Sequence, residues 1–222
     1  MVIEDLIIMG RACPEPLRDG RVTVCLAGWS ERYGFIRLYP ARPDMPRRQW
    51  DIVRVSVERN PRDGRQESWK IAGARSEWND LDKRVEIVGR FDNKEYRHSL
   101  VASLVDEGLH VIKEQGRSLG IIRPQIIRAY FRENPRYIET WQMGLPDLSD
   151  VSHYQVKRNF PYEPRIKYTY PGCRNKTGYH DHQVLEWGFY EWFRKNPGLS
   201  VLRFKAGPTT LPLLPYRKLP DG

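Results

Sequence analysis

The tightest constraint in this chain is the stretch Asp51-Ile-Val-Arg-Val-Ser-Val-Glu58, in which Val53, Val55 and Val57 recur at every second residue. Side chains alternate between faces along a strand, so this period predicts a strand with one apolar face on a core and one wet face. Similar signals surround it. Asp5-Leu-Ile-Ile-Met9 reads as a short buried strand, and Val22-Thr-Val-Cys-Leu-Ala27 as the next, after the turn-forming Arg18-Asp-Gly20. Gly28 to Gly34 then separates it from Phe35-Ile-Arg-Leu-Tyr39, a hairpin partner that Pro40 is expected to end. Glu67 to Ile71 and Val85 to Val88 add two weaker strands. A partly closed antiparallel sheet or small barrel is the simplest assembly of these runs.

From Ser99 the period changes. Leu100, Val101, Leu104, Val105, Leu109 and Ile112 follow a helical stripe, with Ser99 as its cap and Gly116 at its end. Ser118 to Ile122 returns to strand character, and Asn134 to Pro164 reads as a long covering loop. Arg165-Ile-Lys-Tyr-Thr-Tyr170 alternates as a strand with its cations outward. Asp181 to Arg194 is expected as a second helix, Leu199 to Phe204 as a last strand, and the proline-dense Pro208 to Pro220 as extended chain. The expected class is α+β: a β-rich part over residues 1–95 and a strand-helix-strand part over 96–222, as two domains or one continuous domain.

Composition narrows the function. The 222 residues are 40% hydrophobic and 29% charged, which suits a folded core rather than a disordered chain. No apolar run approaches the roughly 18 to 20 residues of a membrane helix, and Met1 to Asp5 has no leader pattern. With only Cys13, Cys25 and Cys173, a disulfide framework is not expected, so the expected setting is a reducing cytoplasm with no membrane partner. The net charge of +9 is uneven: residues 155–222 hold 12 basic and 5 acidic residues, the first 154 only 25 and 23. A basic surplus gathered in one part of a chain concentrates polyanions, because phosphate contacts release condensed counterions. The chain lacks a phosphate-binding Gly-x-x-x-x-Gly-Lys-Ser/Thr loop, a Gly-x-Gly-x-x-Gly fingerprint and a Gly-x-Ser-x-Gly elbow, which argues against ATP hydrolysis and dinucleotide redox chemistry.

Three constellations remain. Asp63, Glu67 and Lys70, with Asp51 upstream, offer the carboxylates and lysine of a Mg²⁺-dependent nuclease. On a strand, however, Glu67 and Lys70 point to opposite faces, and Asn60 to Gly64 reads equally as a turn in which Arg65 pairs with a carboxylate. Cys173, His180 and His182 are candidate Zn²⁺ ligands, short of a fourth unless Asp181, Glu186, Cys13 or Cys25 completes the set. The expectation is that no cofactor is bound there and that the histidines hydrogen-bond their loop. Finally, aromatic residues lie beside cations throughout, which is how single strands are held, with rings on bases and cations on phosphates. Arg165, Lys167, Arg174 and Lys176 with Tyr168 and Tyr179 are the candidate nucleic-acid contacts. Trp187, Phe189, Trp192 and Phe193 are expected in a core instead.

Val24 to Gly28, Phe35 to Pro40, Asn60 to Ser68, Ser118 to Pro124 and Cys173 to Trp187 resemble the ordered landmarks of a family of uncharacterised prokaryotic proteins. The resemblance implies one evolutionary unit and brings no settled activity. Its Cys-x-x-x-Cys-x-x-His pattern is matched by Cys173 and His180, with Thr177 in place of the second cysteine. The expected function is nucleic-acid binding, DNA or RNA, as a subunit of a prokaryotic multi-protein system. The alternatives are a metal-dependent nuclease and a small subunit that docks an acidic protein.

Overall fold

A computed structural model describes residues 1–45, 48–61, 63–73, 76–138, 156–195 and 212–213. The protein is mostly β with a few helices. Its N-terminal part contains β1 (Val2–Arg11), β2 (Glu15–Pro16), β3 (Val22–Ser30), β4 (Gly34–Ala41), β5 (Asp51–Arg59), β6 (Ser68–Ile71) and β7 (Val85–Arg90). Five of these close on themselves in the order β1-β3-β4-β6-β5, because β5 also pairs with β1. The pairings are antiparallel except β4 with β6, where Arg37 lies opposite Ser68 and Leu38 opposite Trp69. β7 extends β5, and the two-residue β2 flanks β3. Closure leaves these five strands without open edges and makes the small barrel that was one of the two expected assemblies.

The valine period is the reason β5 sits where it does: Val53, Val55 and Val57 are buried while Arg54 and Glu58 are exposed. They meet Ile3, Leu6, Ile8, Val24, Leu26, Ile36, Leu38 and Ile71 in the barrel interior. Gly28 is required by the closeness of β1 and β3, since a Cβ there would lie 2.5 Å from the Ile7 carbonyl oxygen and 2.8 Å from Leu6 Cδ1. The expected β3–β4 hairpin forms, although β4 runs through Pro40 to Ala41 rather than stopping before it.

The helical stripe is split in two. α1 (Lys94–Ser103) starts earlier than expected, because Asn93 caps it by accepting from the Glu95 and Tyr96 amides at 2.8 and 3.1 Å; Ser99 lies inside the helix. The chain then turns at Asp106, whose carboxylate takes Arg117 and whose amide donates to Ile121, before α2 (Leu109–Glu114) begins. Gly116 follows α2 with φ 68°, the left-handed conformation expected of a helix-ending glycine.

β8 (Gly120–Ile121) occupies the predicted strand and pairs with β12 (Pro212–Leu213). The sequence reading missed β9 (Gln125–Glu133), which with β10 (Tyr162–Thr169) and β11 (His180–Gln183) forms a second sheet in the order β11-β10-β9. β11 corrects the helix expected from Asp181: that segment is a strand against β10, and α3 starts only at Trp187 and runs to Lys195. The reason is the alternation of His180 and His182 with Asp181 and Gln183, which serves the two faces of a sheet. The expected covering loop from Asn134 to Pro164 is described only at its ends, where residues 157–159 form a short 3₁₀ turn and β10 begins. The strand expected at Leu199 to Phe204 lies outside the described residues, as does nearly all of the proline-dense tail.

Two cores result. The barrel core continues into Phe160, Trp187 and Tyr190, so α3 and the start of the second sheet pack on the barrel beside residues 11–16. Arg11 lies over the Trp187 ring at 4.0 Å. The second core, with Ile112, Ile122, Ile166, Tyr168 and Tyr170, fills the space between α2 and the second sheet. Of the other aromatics expected inside, Phe189 is half-buried and Trp192 is 47% exposed; the side chain of Phe193 lies outside the described residues. Among the described residues no helix is long and apolar enough to cross a membrane.

Candidate functional site

The structure separates the proposed nuclease residues. Asp63 sits in the β5–β6 loop, held by Arg37 at 2.9 Å, Arg65 at 2.7 Å and the Ser68 hydroxyl at 2.6 Å. Hydrogen bonding from Arg65 leads the causes that hold its carboxyl far below the usual range. Glu67 is buried and turned elsewhere, with Oε1 accepting from the Ser118 amide and hydroxyl, both at 2.6 Å. Lys70 pairs with Glu58 at 3.0 Å on the opposite side of the strand, and Asp51, at the far end of β5 from Glu58, takes Arg90 at 2.6 Å. Arg65 therefore has the carboxylate partner that the turn reading expects, and that partner is Asp63. Each carboxylate serves a structural cation or amide, and they do not converge on one point.

The second sheet brings other candidates together. Alternation along β10 sends Ile166 and Tyr168 into the second core and Arg165 and Lys167 to the outer face. Tyr168 is 3% exposed and shares a 3.1 Å hydrogen bond with His182 Nδ1, which places it away from any strand on the outer face. Arg165 is engaged with Asp181 at 2.8 Å and Glu163 at 3.5 Å. Lys167 has no carboxylate partner among the described residues; its ammonium lies 3.6 Å from the centre of the Tyr179 ring. Directly opposite it on β9 is Arg128, 4.9 Å from the Tyr130 ring centre and, among the described residues, also without a carboxylate partner. The nearest acid, Asp181, is already taken by Arg165 and by the Tyr130 hydroxyl at 2.5 Å. The loop joining β10 to β11 adds the exposed Lys176, while its Arg174 pairs with Glu114 at 2.8 Å.

On the inner side, α2, this loop and β11 enclose a cleft of about 430 Å³, lined by His110 and Lys113 of α2, Tyr170, Arg174 and Asn175 of the loop, and His180 and His182 of β11. His110, Tyr170 and His180 form a stack of nearly parallel rings, with centres 6.2 and 5.7 Å apart. Gly108 permits it, because a Cβ at that position would collide with the Tyr170 ring. Burial pushes both β11 histidines down, His182 to about 4, so both are neutral near pH 7. Cys173 packs beside the same core, yet among the described residues no three His, Cys, Asp or Glu side chains are placed to hold a metal ion. Cys13 and Cys25 are buried in the barrel part and cannot complete the set; all three thiols are free.

Arg128, Tyr130, His110 and Lys113 escaped the sequence reading. The signals were present: Arg128, Tyr130 and Arg132 share one face of a period-two run, and His110 and Lys113 lie three apart on a helix.

Residues 3–103, the barrel and α1, match a domain of unknown function, DUF8758. No curated protein matches the chain, and no solved structure does.

Proposed function

We propose that this protein binds nucleic acid across the outer face of the β9–β10–β11 sheet, as an accessory subunit of a larger assembly in a reducing cytoplasm. The observation that carries the proposal is the cross-strand pair Arg128 and Lys167, flanked by Tyr130 and Tyr179. Like charges directly opposite each other destabilise a sheet, and no acid among the described residues pairs with either. A phosphate backbone would supply the missing negative charge, while the two tyrosine rings offer faces on which bases stack. The exposed Lys176 extends the same positive surface along the loop.

The test is fluorescence anisotropy with single-stranded RNA, single-stranded DNA and duplex DNA at two salt concentrations. The double variant Arg128→Ala, Lys167→Ala is expected to weaken binding and to flatten the log–log salt slope by about 1.4 to 1.8, two phosphate contacts' worth. The same samples, run with Mg²⁺ and inspected for cleavage, are expected to stay intact. A folded double variant with unchanged affinity and slope would overturn the proposed face; binding of acidic proteins in place of every oligonucleotide would overturn the ligand class.

A further inference from the structure

The cleft between α2 and β11 lies on the inner side of the same sheet, and its chemistry differs from that of the outer face. Its charge is mainly positive: the Lys113 ammonium and the Arg174 guanidinium stand beside the Asn175 amide and three imidazoles, which can donate or accept. The single acid in the lining, Asp181, has its carboxylate bound to Arg165 and Tyr130. Two ring nitrogens, His110 Nδ1 and His180 Nε2, are shielded from solvent and have no hydrogen-bond partner among the described residues. Buried polar atoms are ordinarily paired, so such orphans mark a place where a further group completes the bonding. The ring stack does not offer a platform for a base, because Tyr170, with His110 and His180 stacked on it, is buried.

We propose that this cleft seats a phosphomonoester, the terminal phosphate of a nucleic-acid strand or of a free nucleotide. A phosphomonoester carries about −1.5 to −2 charges at pH 7, which Lys113 and Arg174 together match, whereas an internal phosphodiester carries about one. Arg174 can take part because its bond to Glu114 uses one of five N–H groups, and both partners are more than half exposed. The unpartnered imidazole nitrogens lie in the same walls and would share in the contacts to the phosphate oxygens. At about 430 Å³ the cleft exceeds a bare anion and falls at the small end of the roughly 300 to 1,000 Å³ of organic-ligand sites, which leaves room for part of an attached nucleoside.

The strand-end form of this proposal rests on the nucleic-acid reading, and the experiment keeps the two apart. The full chain is titrated with one oligonucleotide carrying a 5′-phosphate, a 3′-phosphate or neither, and separately with adenosine monophosphate and inorganic phosphate. A terminal phosphate on one end is expected to tighten binding at least tenfold, and adenosine monophosphate to compete that gain away. Lys113→Ala and Arg174→Ala are each expected to abolish the gain, and Lys113→Ala to leave the affinity of the unphosphorylated strand unchanged, which also shows that this variant is folded. If only the mononucleotide binds, the cleft holds and the outer-face reading fails. If all three oligonucleotides bind equally and neither phosphate compound binds or competes, the cleft proposal is overturned and the outer face stands.

Discussion

Replacing Glu67 separates a structural carboxylate from a catalytic one. Its Oε1 accepts two hydrogen bonds of 2.6 Å from Ser118, tying the start of β6 to the segment that leads into β8, and the residue is only 5% exposed. A hydrogen bond to a charged group contributes about 1.5 to 3 kcal/mol. Two bonds would double that, but they share one oxygen, and the half-buried Ser118 regains some water once the carboxylate is gone. Glu67→Ala is therefore expected to destabilise the protein by about 3 kcal/mol. With a urea m-value near 2 kcal/mol/M, the unfolding midpoint should fall by about 1.5 M. Tryptophan emission is a suitable probe, since the buried Trp69 lies two residues away. Glu67→Gln keeps the acceptor oxygen and removes a buried charge whose Oε2 has no partner among the described residues, so it should cost about 1 kcal/mol. Alanine within about 0.5 kcal/mol of the parent would refute the structural role. A Gln variant that folds normally and loses a Mg²⁺-dependent cleavage would restore the nuclease.

Two further outcomes follow from the same geometry. Burial, followed by His180, Arg165 and Lys113, pushes His182 down to about 4, against a smaller upward pull from Asp181. The unfolded chain takes up a proton that the folded protein refuses, so the histidine's contribution, of the order of 2 to 3 kcal/mol, is complete above the ordinary histidine value and is lost as pH falls from about 6.5 towards 4. Urea midpoints across that window should drop more steeply for the parent than for His182→Gln, and parallel curves would refute the assignment. Gly28→Ala places a methyl group against the Ile7 carbonyl and Leu6, and a loss of at least about 2 kcal/mol in thermal unfolding is expected; a melting curve equal to the parent's would show that β1 and β3 can separate without loss.

The barrel strands were readable because their burial is local in pattern: β5 shows its valine period without help from distant sequence. A small barrel was among the expected assemblies, but the pairing that closes it was not readable, since β5 meets β1 across about fifty residues and no local pattern encodes such a contact. β9 was hidden by composition, its Arg128, Tyr130 and Arg132 giving an outer face too polar and aromatic to stand out beside a valine ladder. His180-Asp-His182 was assigned to a helix because the aromatic run behind it, Trp187 to Phe193, carries the helical period and drew the boundary forward by several residues. The candidate cations were legible as a group, but their availability was not: Arg165 and Lys167 look alike in sequence, and only Asp181 and Glu163, close to Arg165 in space, mark it as the one that is paired among the described residues.

The sharing of the barrel core with Phe160, Trp187 and Tyr190 also bears on how the chain is made. All five barrel strands leave the ribosome within the first 71 residues, while the side chains that pack against their outer ends follow roughly a hundred residues later. At about 5 to 20 residues per second, a nascent chain spends several seconds or more with that apolar surface uncovered. A fragment limited to residues 3–103 would remain in that condition permanently, a sticky intermediate in need of a chaperone, and its solubility would depend on whatever covers the surface that α3 occupies in the full chain.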